Sequence, residues 1–138
     1  MGASVAIHAS GMASLLRWLQ KRPRTAQRFW PMTGHFILLA AWMILLHLLE
    51  IAIWAGFYAW RGAMPDLQSA LYFSAVTYTT TGYGDLVLPP EWRLVGGIEA
   101  LTGILMCGLS TGFFFAVVSR VLQAAPSRSA RSHDSATR

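Results

Sequence analysis

The chain has 138 residues, of which 54% are hydrophobic and only 12% charged, with a formal net charge of +5. A water-soluble domain carries about twice that charged fraction, so lipid is the expected solvent. The single cysteine, Cys107, excludes an intrachain disulfide and a CxxC metal pair.

The chain opens on MGASVAIHAS, which lacks the basic stretch and long apolar core of a cleavable leader. Ala6 stands where a myristoylation signal wants Ser or Thr. The next stretch, SLLRWLQKR, interleaves Leu15, Leu16, Trp18 and Leu19 with Arg17, Lys21 and Arg22. It reads as a topology signal and also as a short helix lying on the inner leaflet, its cations against anionic headgroups. Residues 1–33 are therefore expected to be a cytoplasmic N-terminal segment.

Two segments qualify as membrane-spanning helices. Residues 35–60 make about 39 Å of helix, enough to cross a hydrocarbon core of about 30 Å with some tilt. Residues 94–122 make the second, with Arg120 able to snorkel at its end. Basic residues cluster before the first span (Arg17, Lys21, Arg22, Arg24, Arg28) and at or after the end of the second (Arg120, Arg128, Arg131, Arg138). Only Arg61 and Arg93 lie between. The positive-inside rule then places both termini in the cytoplasm and residues 61–93 outside. The polar, small-residue tail over 123–138 is expected to be disordered, with no room for a cytoplasmic ligand-binding domain.

The outward segment is too apolar for a simple loop. Pro65-Asp66 marks a helix start, and residues 67–78 make about 18 Å of helix, reaching only mid-membrane. The chain returns through TTTGYGD. Non-helical backbone at membrane depth survives only where protein buries it or it lines a watery path. Carbonyls without partners there suit a cation, glycines let several carbonyls point one way, and the negative end of the short helix favours the same charge.

Thr80-Thr81-Gly82-Tyr83-Gly84-Asp85 resembles the TVGYGD selectivity filter of potassium channels. With its two flanking helices, the chain over about 35–122 is similar to the two-transmembrane bacterial potassium channels. The resemblance implies an all-α membrane protein: outer helix 35–60, re-entrant pore helix 66–78, extended filter strand 80–85 and inner helix 94–122, assembled as a four-fold homotetramer. It implies passive potassium transport across the cell (inner) membrane, K+ being held by the carbonyls of Thr80, Thr81, Gly82 and Tyr83 and the Thr80 hydroxyl, with Gly84 completing the strand. Gly103 matches the hinge glycine of the inner helix, and Ile104, Cys107, Thr111 and Phe115 fall on the cavity face; their spacing independently makes one helical stripe.

Departures from the family pattern carry their own expectations. Thr81 replaces the usual Val, adding a hydroxyl that must be satisfied, and keeps alive a weakly selective monovalent cation channel as the alternative. Val76 stands where some relatives place a glutamate. Tyr72 remains able to donate to Asp85; Phe73 cannot reach Tyr83 with a hydrogen bond, which leaves Thr77 as the candidate partner.

Three ionisable residues lie within the spans, each costing about 2.5–3.5 kcal/mol at mid-bilayer unless paired or neutral. His47 and Glu50 read as an intrahelical pair facing the second span. Glu99 projects roughly 100° from the cavity stripe and reads either as a packing carboxyl or as filter support through Thr81 or water. Gly108 and Gly112 suggest close helix packing, and Tyr58, Trp60 and Trp92 an outer aromatic belt. GYGD is not a dinucleotide-binding fingerprint, and no nucleophile–base pair appears. The expected protein is not an enzyme, carries no cofactor besides the permeant K+, and binds no nucleotide or nucleic acid. Neither span carries a periodic arginine series, so no voltage sensor is expected.

Overall fold

The computed structural model describes residues 1–21 and 29–123. Four α-helices follow in chain order: α1 (Gly2–Gln20), α2 (Phe29–Trp60), α3 (Leu67–Tyr78) and α4 (Arg93–Gln123), the last entered through a 3-10 turn at Pro90–Trp92. No strand occurs among the described residues. Apart from Gln123, which ends α4, the tail expected over 123–138 lies outside them.

Two helices are long and apolar enough to cross a membrane, Thr33–Trp60 with a mean hydropathy of 2.4 and Pro90–Arg120 with 2.0. Both leave large apolar side chains uncovered, among them Ile44, Leu48, Leu94 and Leu109. A surface of that kind is stable against lipid or further protein rather than water.

α2 ends in a Schellman motif. Gly62 takes the left-handed position at φ +64, its amide bonds Ala59 O at 3.2 Å, and Ala63 N bonds Tyr58 O at 3.0 Å. A glycine meets that dihedral without steric cost. The chain then turns back and α3 wedges between α2 and α4. Ile51, Trp54, Ala55 and Tyr58 of α2, Ala70, Phe73 and Tyr78 of α3, and Met106 of α4 form one buried apolar cluster.

Two glycines admit the close approach of α4. A Cβ on Gly96 would touch Leu88 at 3.2 Å, and one on Gly103 would lie 1.9 Å from the carbonyl oxygen of Tyr78. Gly103 is thus where α4 meets the end of α3. The close packing expected at Gly108 and Gly112 is not made within the chain, where a Cβ at either would meet nothing within 4 Å. Both lie on the exposed side of α4.

The N-terminal segment departs most from expectation. α1 begins at Gly2 and runs antiparallel to α2. The tilted rings of Trp18 and His35 lie 6.4 Å apart, Trp42 Nε1 donates to Gly11 O at 3.2 Å, and His8 meets Glu50. Ser4, His8 and Leu15 are buried along one stripe. Gly11 completes it, its missing Cβ leaving room for Leu46 at 2.5 Å. The helix is thus longer than the short one expected over the basic stretch, and it packs along α2. The small residues of GASVAIHASGMAS leave room for side chains of α2 against α1, as Leu46 and Trp42 at Gly11 show.

Candidate functional site

Asp66 caps the start of α3: its Oδ1 accepts from Ser69 N at 2.8 Å, and Ser69 Oγ donates to Oδ2 at 2.9 Å. Those bonds, the backbone amide first, hold the Asp66 carboxyl below its ordinary range.

The end of α3 repeats the Schellman hydrogen-bond pattern of α2, but with a threonine at the left-handed position. Thr80 has φ +58; its amide bonds Thr77 O at 2.9 Å, and Thr81 N bonds Val76 O at 2.9 Å. Gly82 N reaches the same Val76 carbonyl at 3.3 Å, and Thr79 N bonds Ala75 O at 3.2 Å. Four successive amides are thereby absorbed by the last turn of the helix.

Beyond that point φ alternates in sign. Thr80, Gly82 and Gly84 lie at +58, +57 and +78, with Thr81 and Tyr83 negative between them. Alternation of this kind aligns successive peptide units, gathering amides on one side and carbonyls on the other. The carbonyls of residues 80–84 accept no hydrogen bond among the described residues. Residues 79–87 are exposed in the single chain, so this is a row of unpaired acceptors held on one rigid support.

Side chains hold the segment from behind. Thr79 Oγ1 donates its one proton to Ala75 O at 2.7 Å, so in the 2.9 Å contact with Thr81 Oγ1 the donor is Thr81. The extra hydroxyl of Thr81 therefore has its partner. Tyr72 Oη donates to Asp85 Oδ2 at 2.6 Å, and this phenol, ahead of the Leu86 amide, holds the Asp85 carboxyl below its ordinary range. A cleft of about 190 Å³ behind the segment is walled by Phe73, Val76, Thr77 and Val87, with Tyr72 and Asp85 at its rim. Thr77 shares that cleft with Gly82 and Gly84, whereas the Tyr83 side chain is 72% exposed and points away from it.

Glu99 lies on the buried face of α4, fully enclosed. It accepts from Tyr58 Oη at 2.8 Å and from Ser74 Oγ. Its carboxylate ties α4 to α2 and to the middle of α3, so any support it lends the return segment passes through Ser74 and not through Thr81. Tyr58, expected in an outer aromatic belt, is instead completely buried as this partner. Trp60 is 78% exposed, and Arg61 stacks over both Trp60 and Trp92.

The expected His47–Glu50 pair is also corrected. Tyr78 stands between them, its hydroxyl 3.1 Å from His47 Nδ1 and donating to Glu50 Oε2. On α4, Ile104, Cys107, Thr111 and Phe115 all fall on the exposed face, opposite Glu99, Thr102, Met106 and Ser110. The residues that sequence reasoning missed are His8, Ser74, Tyr78 and Ser110. A signal existed for His8: with Ser4, Gly11 and Leu15 it forms a stripe at helical spacing.

Two apolar helices flanking a short helix and a non-helical return with outward-facing acceptors define the class, a membrane protein built around a re-entrant segment. A family model described as "Ion channel" matches residues 38–120, more than half of the chain. The chain belongs to that ion channel family, a family of passive channels and not of enzymes. No curated protein and no solved structure matches it.

Proposed function

We propose that this channel is a homotetramer in the cell (inner) membrane that conducts potassium passively through four copies of residues 80–84. The observation carrying the reading is the row of unpaired carbonyls from Thr80 to Gly84, set by alternating φ just past the C-terminal end of α3. Carbonyls of Thr80, Thr81, Gly82 and Tyr83, with the Thr80 hydroxyl, replace the hydration shell of a dehydrated cation, and the negative end of α3 adds to the attraction. Four chains are needed because one strand offers oxygens from one side only. The exposed stripe Ile104, Cys107, Thr111 and Phe115 then lines the water-filled cavity below. Tyr72–Asp85, Thr77 and the Glu99–Ser74 contact hold the filter from behind, and Gly103 serves both as packing point and as hinge.

Liposomes carrying the purified protein test this reading by potassium-driven against sodium-driven flux, with barium as blocker. Strong, barium-sensitive potassium flux beside negligible sodium flux is expected, from protein whose mass in detergent is that of four chains. Equal flux of both ions sinks the potassium claim.

A weakly selective cation channel is the second reading, and the Thr81 hydroxyl favours it. Because that hydroxyl is spent on Thr79, Thr81→Val is expected to leave the potassium-to-sodium ratio unchanged and stability within about 0.5 kcal/mol. A clear rise in the ratio for the variant establishes the weaker selectivity instead.

A further inference from the structure

Where α1, α2, α3 and α4 come together, five polar side chains close a ring. His8 Nδ1 lies 2.9 Å from Glu50 Oε1, and Tyr78 Oη donates to Glu50 Oε2. Tyr78 Oη is 3.1 Å from His47 Nδ1, and Ser110 Oγ lies 3.1 Å from Nε2 of both His47 and His8. His8, Glu50 and Tyr78 are at most 1% exposed, Ser110 is buried, and His47 is half-buried. In its proton-filled form the ring is net neutral. Tyr78 donates to Glu50, Glu50 shares its proton with His8, His8 donates to Ser110, Ser110 to His47 and His47 to Tyr78. Every group gives one proton and takes one, so two histidines and a glutamate are tolerated among apolar helices.

The same geometry suits a second occupant of the ring. Ser110 faces both Nε2 atoms, so a single hydroxyl oxygen can accept from two Nε2–H groups and hold both imidazoles in the tautomer that frees Nδ1. The two Nδ1 atoms then turn to the same side as the Glu50 carboxylate and the Tyr78 hydroxyl. One donor atom each from His8, His47 and Glu50 lies within 4.8 Å of the others. The donor edges of 2.9 Å and 3.1 Å approach the separation of about 3.3 Å that ligands keep around a tetrahedral ion bound at about 2.0–2.1 Å. Two imidazoles and a carboxylate, with a phenol at the fourth corner, are nitrogen and oxygen donors of the type zinc accepts. They suit calcium or magnesium poorly, because those ions want an all-oxygen shell.

The geometry points to a binding site for a divalent transition metal of the zinc class, made by His8, His47 and Glu50 beside Tyr78, that staples α1 to the body of the channel. The metal takes the place of the proton shared by His8 and Glu50, which leaves to solvent. Half-buried His47 gives the way in, and the C-terminal end of α3 at Tyr78 offsets the remaining positive charge. Its ligands come from residues 8, 47 and 50, so the site exists only when α1 lies along α2.

Cobalt(II) is the probe, since four-coordinate cobalt bound by nitrogen and oxygen absorbs strongly in the visible while the hydrated ion does not. Full-length protein in detergent, stripped with a chelator, is titrated with Co2+ and then with Zn2+. One cobalt per chain with the four-coordinate spectrum, displaced by zinc, is expected. His8→Ala and His47→Ala abolish the spectrum, and Ser110→Ala, which keeps every ligand, weakens binding about 10- to 100-fold. Wild-type protein that takes up no four-coordinate cobalt overturns the proposal, whatever the variants do. So does a spectrum that survives unchanged in folded His8→Ala and His47→Ala proteins. The readout involves no ion flux, so it stands or falls separately from the potassium reading.

Discussion

α2 and α3 end in the same hydrogen-bond motif and put different residues at its left-handed position. At Gly62 the motif turns the chain outside the spans, and the residue there has nothing within 4 Å of where a Cβ would be. At Thr80 the same dihedral carries a β-branched side chain, for which the left-handed region costs roughly 1–2 kcal/mol. Glycine meets that dihedral at lowest cost in both places, and on the function proposed above the threonine is there for its hydroxyl. The α3 end is also pressed on from outside, because α4 touches the Tyr78 carbonyl at Gly103. A turn and a working site thus share one backbone solution and differ in what is imposed on it.

The largest effect expected from breaking that contrast is at Gly103. Gly103→Ala drives a methyl into the Tyr78 carbonyl, which is backbone and cannot rotate aside, at a cost of about 3 kcal/mol or more. Thermal unfolding in detergent is expected to show a strongly lowered midpoint. An unchanged midpoint with altered flux would make Gly103 a hinge and nothing else.

Next come exchanges at the two left-handed positions. Thr80→Gly is expected to leave stability within about 1 kcal/mol of wild type, because relief of the dihedral offsets the added chain entropy. Potassium flux nevertheless falls by about tenfold as a charge-assisted ligand is lost. Gly62→Ala does the reverse, costing about 1 kcal/mol with flux unaltered. If Thr80→Gly conducts like wild type, the hydroxyl is not a ligand and the comparison between the two ends collapses.

The smallest effect concerns Asp85. Its carboxyl is held below the ordinary 3.8 chiefly by the Tyr72 phenol, so the contact is fully formed above pH 3.8 and is lost only as pH falls through the lower value in the folded protein. In Tyr72→Phe that depression should shrink, and carbon NMR of labelled aspartate is expected to show Asp85 titrating higher than in wild type. Identical titration curves would mean that the phenol is not what holds it.

Much of the fold is legible in the sequence alone. The two spans, the capped start of α3 at Asp66 and the glycine-threonine return are local signals, because length, apolar runs and turn chemistry act over a few residues. The buried polar partners were not legible. Helical projection turns Glu99 away from the stripe of Ile104, Cys107, Thr111 and Phe115, but Tyr58 and Ser74 as its partners depend on how α2 and α3 cross α4. His47 and Glu50 looked like a pair because they are close in sequence, and Tyr78 entered between them from another helix. The sequence signal of α1 lies in its basic C-terminal end, where charge dominates, while its packing rests on small residues earlier in the helix.

By itself the sequence determined a membrane protein with two spans, a half-length helix and an acceptor-rich return, since these follow from hydropathy, rise per residue and the dihedral freedom of glycine. Only the tertiary structure decided where the polar side chains go. The buried side-chain hydrogen bonds made by Glu50, Ser74 and Glu99 join residues more than twenty positions apart, so their partners depend on how the helices cross. That the chain's start climbs along α2 and closes a ring with His47, Glu50, Tyr78 and Ser110 was decided the same way.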